Sequence, residues 1–300
     1  MKIGVTGASG MLGTALLSQI SKSHEIYATS RSKGFDDKNI KWDCFDLTDK
    51  SLLSSWLNKT KPDVLIHCAA IVNVDLCEEN INLAKALHIE TTRVISDYMS
   101  FSKGRLIYIS TDSVFNGEKS GSYNELDTTN PLNVYAKTKL QGEEIVQSLK
   151  NGLILRTNII GWTNQGKTSF FEWLLKSLFE EKPINLFDDV YFSPLTVHDF
   201  SLIIDSILLN PIFGLYHCAS SDDISKYAFG IEVSEIFQLP SFNIKRASVD
   251  IMNFKAARPK NMALDVSKIS LDLSYNLPSI SDSIQKMKSQ YENIKSNKNK

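Results

Sequence analysis

The stretch Gly7-Ala8-Ser9-Gly10-Met11-Leu12-Gly13 follows directly on the apolar run Lys2-Ile3-Gly4-Val5-Thr6. Three glycines at this spacing leave few folds open. The run reads as a short buried strand, the glycines as a tight turn, and residues 11–21 as an amphipathic helix. Strand, glycine turn and helix start form the context in which a dinucleotide is held. Gly7 permits the turn, Gly10 lets backbone approach a pyrophosphate, and Gly13 lets the helix pack closely on the strand. The free amides of the helix start, around Met11 and Leu12, and the positive end of the helix dipole would face the phosphates. The competing reading is a glycine-rich turn with no ligand.

Strand-like and helical runs then alternate, which predicts an α/β fold: a Rossmann doubly wound parallel sheet with a smaller mixed α/β lobe. Residues 25–29 form the second strand, ending at Ser30-Arg31-Ser32-Lys33. An NAD site usually places an acid about 20 residues beyond the glycines, on the ribose hydroxyls. Ser30 and Arg31 stand there instead, and a hydroxyl with a guanidinium suits a 2′-phosphate. NADPH is therefore the expected cofactor, with NADH the alternative and solvated loop charges the structural explanation. Residues 43–49 follow a third short strand, and a helix over 50–58 leads to Pro62-Asp63-Val64-Leu65-Ile66-His67-Cys68-Ala69-Ala70. This continuous apolar run predicts a parallel strand covered on both faces. The small residues Cys68, Ala69 and Ala70 at its end leave room for a cofactor, while His67 reads as a satisfied strand residue. Residues 82–101 are expected as one long amphipathic helix.

A strand over 105–110 ends in Thr111-Asp112-Ser113-Val114-Phe115-Asn116-Gly117, and Pro131-Leu132-Asn133-Val134-Tyr135-Ala136-Lys137-Thr138-Lys139 comes soon after. On a helix, Tyr135 and Lys139 share one face. A cation near a phenol lowers its pKa from the reference value of about 10, because the phenolate is the form the charge favours. A hydroxyl at a central strand end, here Thr111, can hydrogen-bond a substrate carbonyl and the alkoxide that develops from it. Each motif alone has an ordinary structural explanation. Joined to a dinucleotide turn, they describe a hydride transfer.

A net charge of −1 over 300 residues provides no basic field for nucleic acid or an acidic membrane surface. The expected partners are a small molecule and a second copy of the chain. Cys44, Cys68, Cys77 and Cys218 form no Cys-x-x-Cys pair, and no histidine stands at metal-ligand spacing, so free thiols and no metal are expected. No run approaches the roughly 20 apolar residues of a bilayer span. The first apolar run breaks at glycine and makes no signal peptide, so a cytoplasmic location is expected.

The Gly-x-x-Gly-x-x-Gly spacing resembles the extended branch of the short-chain dehydrogenase/reductase superfamily, which acts on nucleotide sugars. Ser110-Thr111-Asp112-x-Val114-Phe115-x-Gly117 and Pro131-Leu132-Asn133-x-Tyr135-x-Lys137-Thr138-Lys139 narrow this further. With Gly142-Glu143, Leu155-Arg156-Thr157, Pro194-Leu195-Thr196-Val197-x-Asp199, Gly214-Leu215-Tyr216-His217 and Arg258-Pro259-Lys260-Asn261, they resemble the dTDP-4-dehydrorhamnose reductase family. The likeness runs to about residue 285. It implies NADPH-dependent reduction of the C4 keto group of a nucleotide-linked 6-deoxy-4-keto sugar. Tyr135 would protonate the oxygen, Lys139 would hold the ribose hydroxyls, and Thr111 would contact the same oxygen. The Asp46-Leu47 pair would sit under the adenine. Val72, Val74, Thr111, Asp112, Tyr135, Asn158 and Arg258 would face the substrate. Residues 1–157 with about 190–216 would form the cofactor domain, and about 158–189 with 217–287 the nucleotide-sugar lobe. A helix over 167–180 would place Phe170, Phe171 and Trp173 in that lobe's core, and 288–300 would be a flexible tail.

The chain departs from this pattern in several places. Nucleotide-sugar dehydratases carry Thr-Asp-Glu where Thr111-Asp112-Ser113 stands, so the base for water loss is missing and reduction is favoured. Asn158-Ile159-Ile160 occupies a stretch where related reductases have a tryptophan, and Val72 a place where they have a hydroxyl. Ala15 stands where some carry a Mg²⁺-binding glutamate. His88 matches the position of a relay asparagine, and packing is its expected role. The alternatives are a reductase or epimerase of a UDP-, GDP- or CDP-linked sugar, or a non-catalytic binding subunit like the relative that regulates methionine adenosyltransferase.

Overall fold

The computed structural model describes residues 1–163 and 168–298. Strand and helix alternate through the first half. The elements are β1 (Lys2–Thr6), α1 (Met11–Ile20), β2 (Glu25–Ser30), β3 (Ile40–Cys44), α2 (Lys50–Thr60), β4 (Val64–His67), α3 (Val74–Glu79), α4 (Ile81–Lys85), α5 (Thr91–Ser102), β5 (Arg105–Ile109), α6 (Val134–Gln147) and β6 (Gly152–Arg156). All four residues of β4 are buried, so helices must cover the sheet on both sides. On one side Leu12, Leu16 and Leu17 of α1 pack on Ile3, Val5 and Ile66. On the other, Leu53 and Trp56 of α2, Ile95 and Met99 of α5 and Val146 of α6 pack on Leu65 and Leu106.

The second half is built from shorter pieces. These are β7 (Ile159–Ile160), α7 (Phe170–Phe179), β8 (Ile184–Phe187), β9 (Tyr191–Phe192), β10 (Leu195–Thr196), α8 (Val197–Leu209), β11 (Gly214–His217), β12 (Ile224–Ser225), α9 (Lys226–Phe237), β13 (Ile244–Ala247), β14 (Asn261–Met262), α10 (Ser267–Leu273) and α11 (Ile280–Lys298). β11 returns to the large sheet, whose order is β11-β6-β5-β4-β1-β2-β3 with every neighbour parallel. The order reverses between β1 and β4, and a doubly wound sheet opens a crevice at the carboxyl ends of such strands. Phe200, Ile203 and Ile204 of α8 cover the sheet beside α1. A separate core gathers Phe171, Leu174, Phe192, Phe229, Val233, Ile244, Ile280 and Ile284. The fold is the Rossmann α/β architecture expected of the sequence.

The structure corrects some local expectations. The helix predicted over 82–101 is interrupted by a π-helical turn, Ala86–Glu90, between α4 and α5. Residues 288–298, expected as a tail, continue α11. Tyr291 stacks on Trp162 and Phe179, with ring centroids 5.8 and 5.6 Å apart, and Lys286 donates to the fully buried Asp199 at 2.6 Å. Phe171 is buried and Phe170 lines the edge of the core, but Trp173 is 43% exposed. Lys167, where that helix was to begin, lies outside the described residues. Leu264, Val266, Ile269 and Leu277 pack with β1 and α8, so the chain crosses between its two cores more often than the sequence suggested.

Tyr291→Ala should lower the unfolding free energy by on the order of 2 kcal/mol through lost aromatic packing. Exposed Ser296→Ala should change it by no more than about 0.5 kcal/mol. Denaturant unfolding of both variants checks this, and an unchanged midpoint for Tyr291→Ala would show that α11 ends functionally before that ring.

Candidate active site

The glycine turn is shaped by backbone contacts. Gly7 has φ of +65°, and a Cβ there would stand 2.7 Å from the Ala69 backbone at the end of β4. A Cβ on Gly13 would meet the Gly7 carbonyl oxygen at 2.5 Å and Ala8 Cα at 2.6 Å, so this glycine lets α1 close onto the turn. Gly10 is the N-cap of α1 and supplies no side chain to the first amides, which begin at Met11 and Leu12. Bare backbone beside an uncapped helix start fits the pyrophosphate of a nicotinamide dinucleotide. Ala69 is buried against Gly7, Ala70 is half-buried, and burial pushes the Cys68 thiol up to about 12, which makes it inert. At the end of β2 the Ser30 hydroxyl donates to the Ser32 carbonyl at 2.5 Å, while Arg31 is exposed. Asp46 accepts from the Thr48 amide and hydroxyl, which hold its carboxyl below the ordinary range with further help from Arg31. Leu47 is buried beneath.

Thr111 lies just beyond β5 and caps one 3₁₀ turn (Asp112–Val114), accepting from the Ser113 amide at 3.2 Å. Asn133 caps α6 by accepting from the Ala136 amide at 2.9 Å, and Tyr135 in the first turn brings its hydroxyl close to Thr111. Burial pushes the Tyr135 phenol up to about 12, with Thr111 opposing and Asp112 adding to the rise. One turn on, Lys139 is buried. Its Nζ donates to the Ile109 carbonyl at 2.7 Å and lies 3.9 Å over the Tyr108 ring. Tyr135 and Lys139 thus share a helix, as expected, but the expected lowering of the phenol is corrected. The ammonium is aimed at Ile109, burial brings Lys139 itself down to about 7, and Tyr135 is held protonated.

The helix carrying this pair is fastened from behind. A Cβ on Gly142 would stand 2.1 Å from the Tyr108 hydroxyl, so only glycine lets α6 approach β5 this closely. Arg156 donates to Glu143 from Nη2 at 2.7 Å and from Nε at 3.1 Å, and the Ser110 hydroxyl donates to the same carboxylate. Both ionic side chains are 4% exposed.

His88 sits in the π-helical turn, its ring edge-on to Tyr135 with centroids 5.8 Å apart. Its Nε2 accepts from the Ile71 amide at 2.9 Å, which leaves Nδ1 protonated to donate to Thr138 Oγ1 at 2.8 Å. With both nitrogens engaged by protein groups, His88 braces the loop after β4 against α6, in keeping with a packing role. His67 is also buried, between Thr6 Oγ1 at 2.6 Å and Thr92 Oγ1 at 3.1 Å. A third buried histidine, His217, meets the Tyr123 carbonyl at 3.0 Å.

A cavity of about 220 Å³ lies between the two halves of the molecule and is bordered by Ser113, while Thr111, Asp112 and Tyr135 are not among the residues that line it. Val74, Asn158 and Arg258, three of the residues expected to face a substrate, line it together with Asn133, Lys226 and Phe254. Val72 is 74% exposed and is not among the residues that line this cavity. Asp112 is buried and accepts from Asn158 Nδ2 at 2.6 Å and Ser113 Oγ at 3.1 Å; burial raises its carboxyl. Residues 254–259 form a strap over the cavity. Asp75 of α3 accepts from the Ala256 amide at 3.0 Å and pairs with Arg258 at 3.1 Å, Glu79 pairs with Lys255, and Asn133 donates to the Ala257 carbonyl at 2.9 Å. Glu78 accepts from the Val134 amide at 2.8 Å, so α3 also grips the start of α6. Lys226 belongs to no motif that sequence reasoning could use; it simply opens α9.

A doubly wound sheet with this glycine turn, Thr111, Tyr135 and Lys139 defines a short-chain dehydrogenase/reductase, a class of NAD(P)H-dependent oxidoreductases. Residues 1–293 match the model of the RmlD substrate binding domain family, and the chain belongs to that family, whose members include the dTDP-4-dehydrorhamnose reductases. Among relatives, the probable low-salt glycan biosynthesis reductase Agl14 of Haloferax volcanii is 27% identical over 97% of this chain and 99% of its own. Methionine adenosyltransferase 2 subunit beta of Rattus norvegicus is 30% identical over 88% of this chain and 80% of its own. The structure of dTDP-4-dehydrorhamnose reductase from Bacillus anthracis in complex with NADP superposes with a TM-score of 0.84 at 26% identity, covering 95% of this chain and 98% of that one.

Burial holds His67, His88 and His217 at about 3, 2 and 3, against an ordinary 6.5. The folded state therefore refuses protons that the unfolded chain accepts below 6.5, so stability is intact above that pH and falls as pH drops toward 3. Each histidine should cost about 2 kcal/mol of stability at about pH 5. Urea unfolding near pH 7.5 and pH 5 checks this; equal midpoints would contradict the neutral, buried assignment.

Proposed function

We propose that the chain uses NADPH to reduce the C4 keto group of a nucleotide-linked 6-deoxy-4-keto sugar, with dTDP-4-dehydrorhamnose to dTDP-L-rhamnose as its reaction. The observation that carries this reading is the placement of Tyr135, in the first turn of α6, beside Thr111 at the sheet's carboxyl edge, with Lys139 one helical turn away. When bound, the dihydronicotinamide supplies the hydride. Tyr135, protonated at neutral pH, donates its proton to the carbonyl oxygen as charge develops there, and Thr111 hydrogen-bonds the same atom. Lys139 supplies the cation for the ribose hydroxyls and for the tyrosinate left behind. Carbonyl plus hydride plus proton yields the hydroxyl, so the step balances.

Two features weigh against the rivals. Ser113 stands where a dehydratase needs a carboxylate, and its hydroxyl is spent on Asp112. The presence of Thr111, Tyr135 and Lys139 together supports catalysis over a purely binding role. Exposed Arg31 supports NADPH over NADH, because a guanidinium at that strand end meets a 2′-phosphate; the Ser30 hydroxyl serves the local turn instead.

Following NADPH absorbance with dTDP-, UDP-, GDP- and CDP-linked 4-keto sugars should give stoichiometric oxidation, fastest with the dTDP sugar. No oxidation with any of them would shift the protein to a binding role. Tyr135→Phe should lower kcat by roughly 10²–10⁴ while NADPH still binds; undiminished turnover would remove Tyr135 from the chemistry. Arg31→Ala should raise the KM for NADPH about tenfold and leave that for NADH nearly unchanged, a loss comparable to one charged contact.

A further inference from the structure

Two cations line the inter-lobe cavity, and their surroundings differ. Arg258, the one suggested by motif, is already neutralised by Asp75 at 3.1 Å and serves the strap. Lys226 is not so paired: among the described residues no carboxylate oxygen lies within 4.0 Å of its Nζ. Its ammonium rests 3.1 Å from the centroid of the Phe192 ring and 4.6 Å from that of Phe170. Aromatic faces hold a cation in place without cancelling its charge. The nearest acid is Asp112, whose oxygens are taken by Asn158, Ser113 and Thr111. Lys226 is also fixed at its backbone, donating from its amide to the Val190 carbonyl at 2.9 Å at the start of α9. Burial brings Lys226 down to about 7, so an anion entering the cavity would favour its charged form. A preorganised amine without a salt-bridge partner, facing a cavity walled by Phe187, Val249 and Met262, is a receptor for an anion on an otherwise apolar ligand.

We propose that Lys226, and not Arg258, is the residue that meets the phosphate charge of the nucleotide-linked ligand. This rests on the nucleotide-sugar reading of the site. It makes α9 of the small lobe, rather than the strap, the source of affinity for the nucleoside diphosphate, and gives Arg258 a closing role.

Isothermal titration with dTDP and with UDP, on the full chain in the presence of saturating NADP⁺, tests the assignment without turnover. Lys226→Met keeps the apolar stem on Phe192 and removes the charge. It should weaken nucleoside diphosphate binding at least tenfold while NADP⁺ affinity, the control for folding, stays as in wild type. Lys226→Arg should recover most of the loss, and Arg258→Met should weaken binding less than Lys226→Met does. Unchanged dTDP and UDP affinity in Lys226→Met, or a larger loss in Arg258→Met, would overturn the proposal. Failure of wild type to bind either diphosphate would overturn it together with the nucleotide-sugar reading. Lys226-dependent binding without any 4-keto-sugar turnover would leave Lys226 assigned and remove only the reductase activity.

Discussion

The site depends on one unusual burial: α6 turns two ionisable side chains, Lys139 and Glu143, into the protein. Glu143 is met by Arg156 and Ser110, and Lys139 by the Ile109 carbonyl and the Tyr108 face. Desolvating charges is costly, and removing one member of such a buried pair typically costs about 3–5 kcal/mol because the other is stranded. The arrangement therefore tolerates little drift. The helix cannot slide or roll without breaking several charge-assisted bonds together, and Tyr135 is carried on its first turn. The accuracy of the phenol's placement beside Thr111 owes much to Glu143 and Arg156, an ion pair buried behind the helix.

The sequence was most informative where function is written in contiguous residues. Glycines at positions 7, 10 and 13 act on backbone within a few residues of themselves or on the neighbouring strand end, so their spacing alone announces the crevice. The same holds for Thr111, Tyr135 and Lys139, whose order matches a family pattern. Spacing shows which helix face a side chain shares, but not where its end goes. That is why the proximity of Lys139 predicted a depressed phenol, whereas the ammonium is drawn to Ile109 and burial dominates. Lys226 and the strap were invisible for a related reason. Contacts such as Asp75 with Arg258 join residues 181 or more positions apart at one end, as for Asp75 and Ala256, and no local pattern encodes them.

Polar contacts help to join the two halves of the molecule. Helix α3 is only six residues long, yet its carboxylates reach the strap on one side and the start of α6 on the other. Val74 at its beginning borders the cavity. One short element thus borders the cavity, the strap and the helix that bears Tyr135.

The π-helical turn at Ala86–Glu90 has a consequence for the whole layer behind the site. An α-helix advances about 100° per residue, so a wide turn inserted between α4 and α5 resets the angular phase of everything after it. With that phase, His88 faces Ile71 and Thr138 while Thr92 faces His67 from the next turn. An unbroken α-helix through this stretch would rotate one of the two sets out of contact. The wide turn works as a phase shifter, letting a single continuous rod address two differently oriented polar neighbours, His67 at the end of β4 and Thr138 on α6.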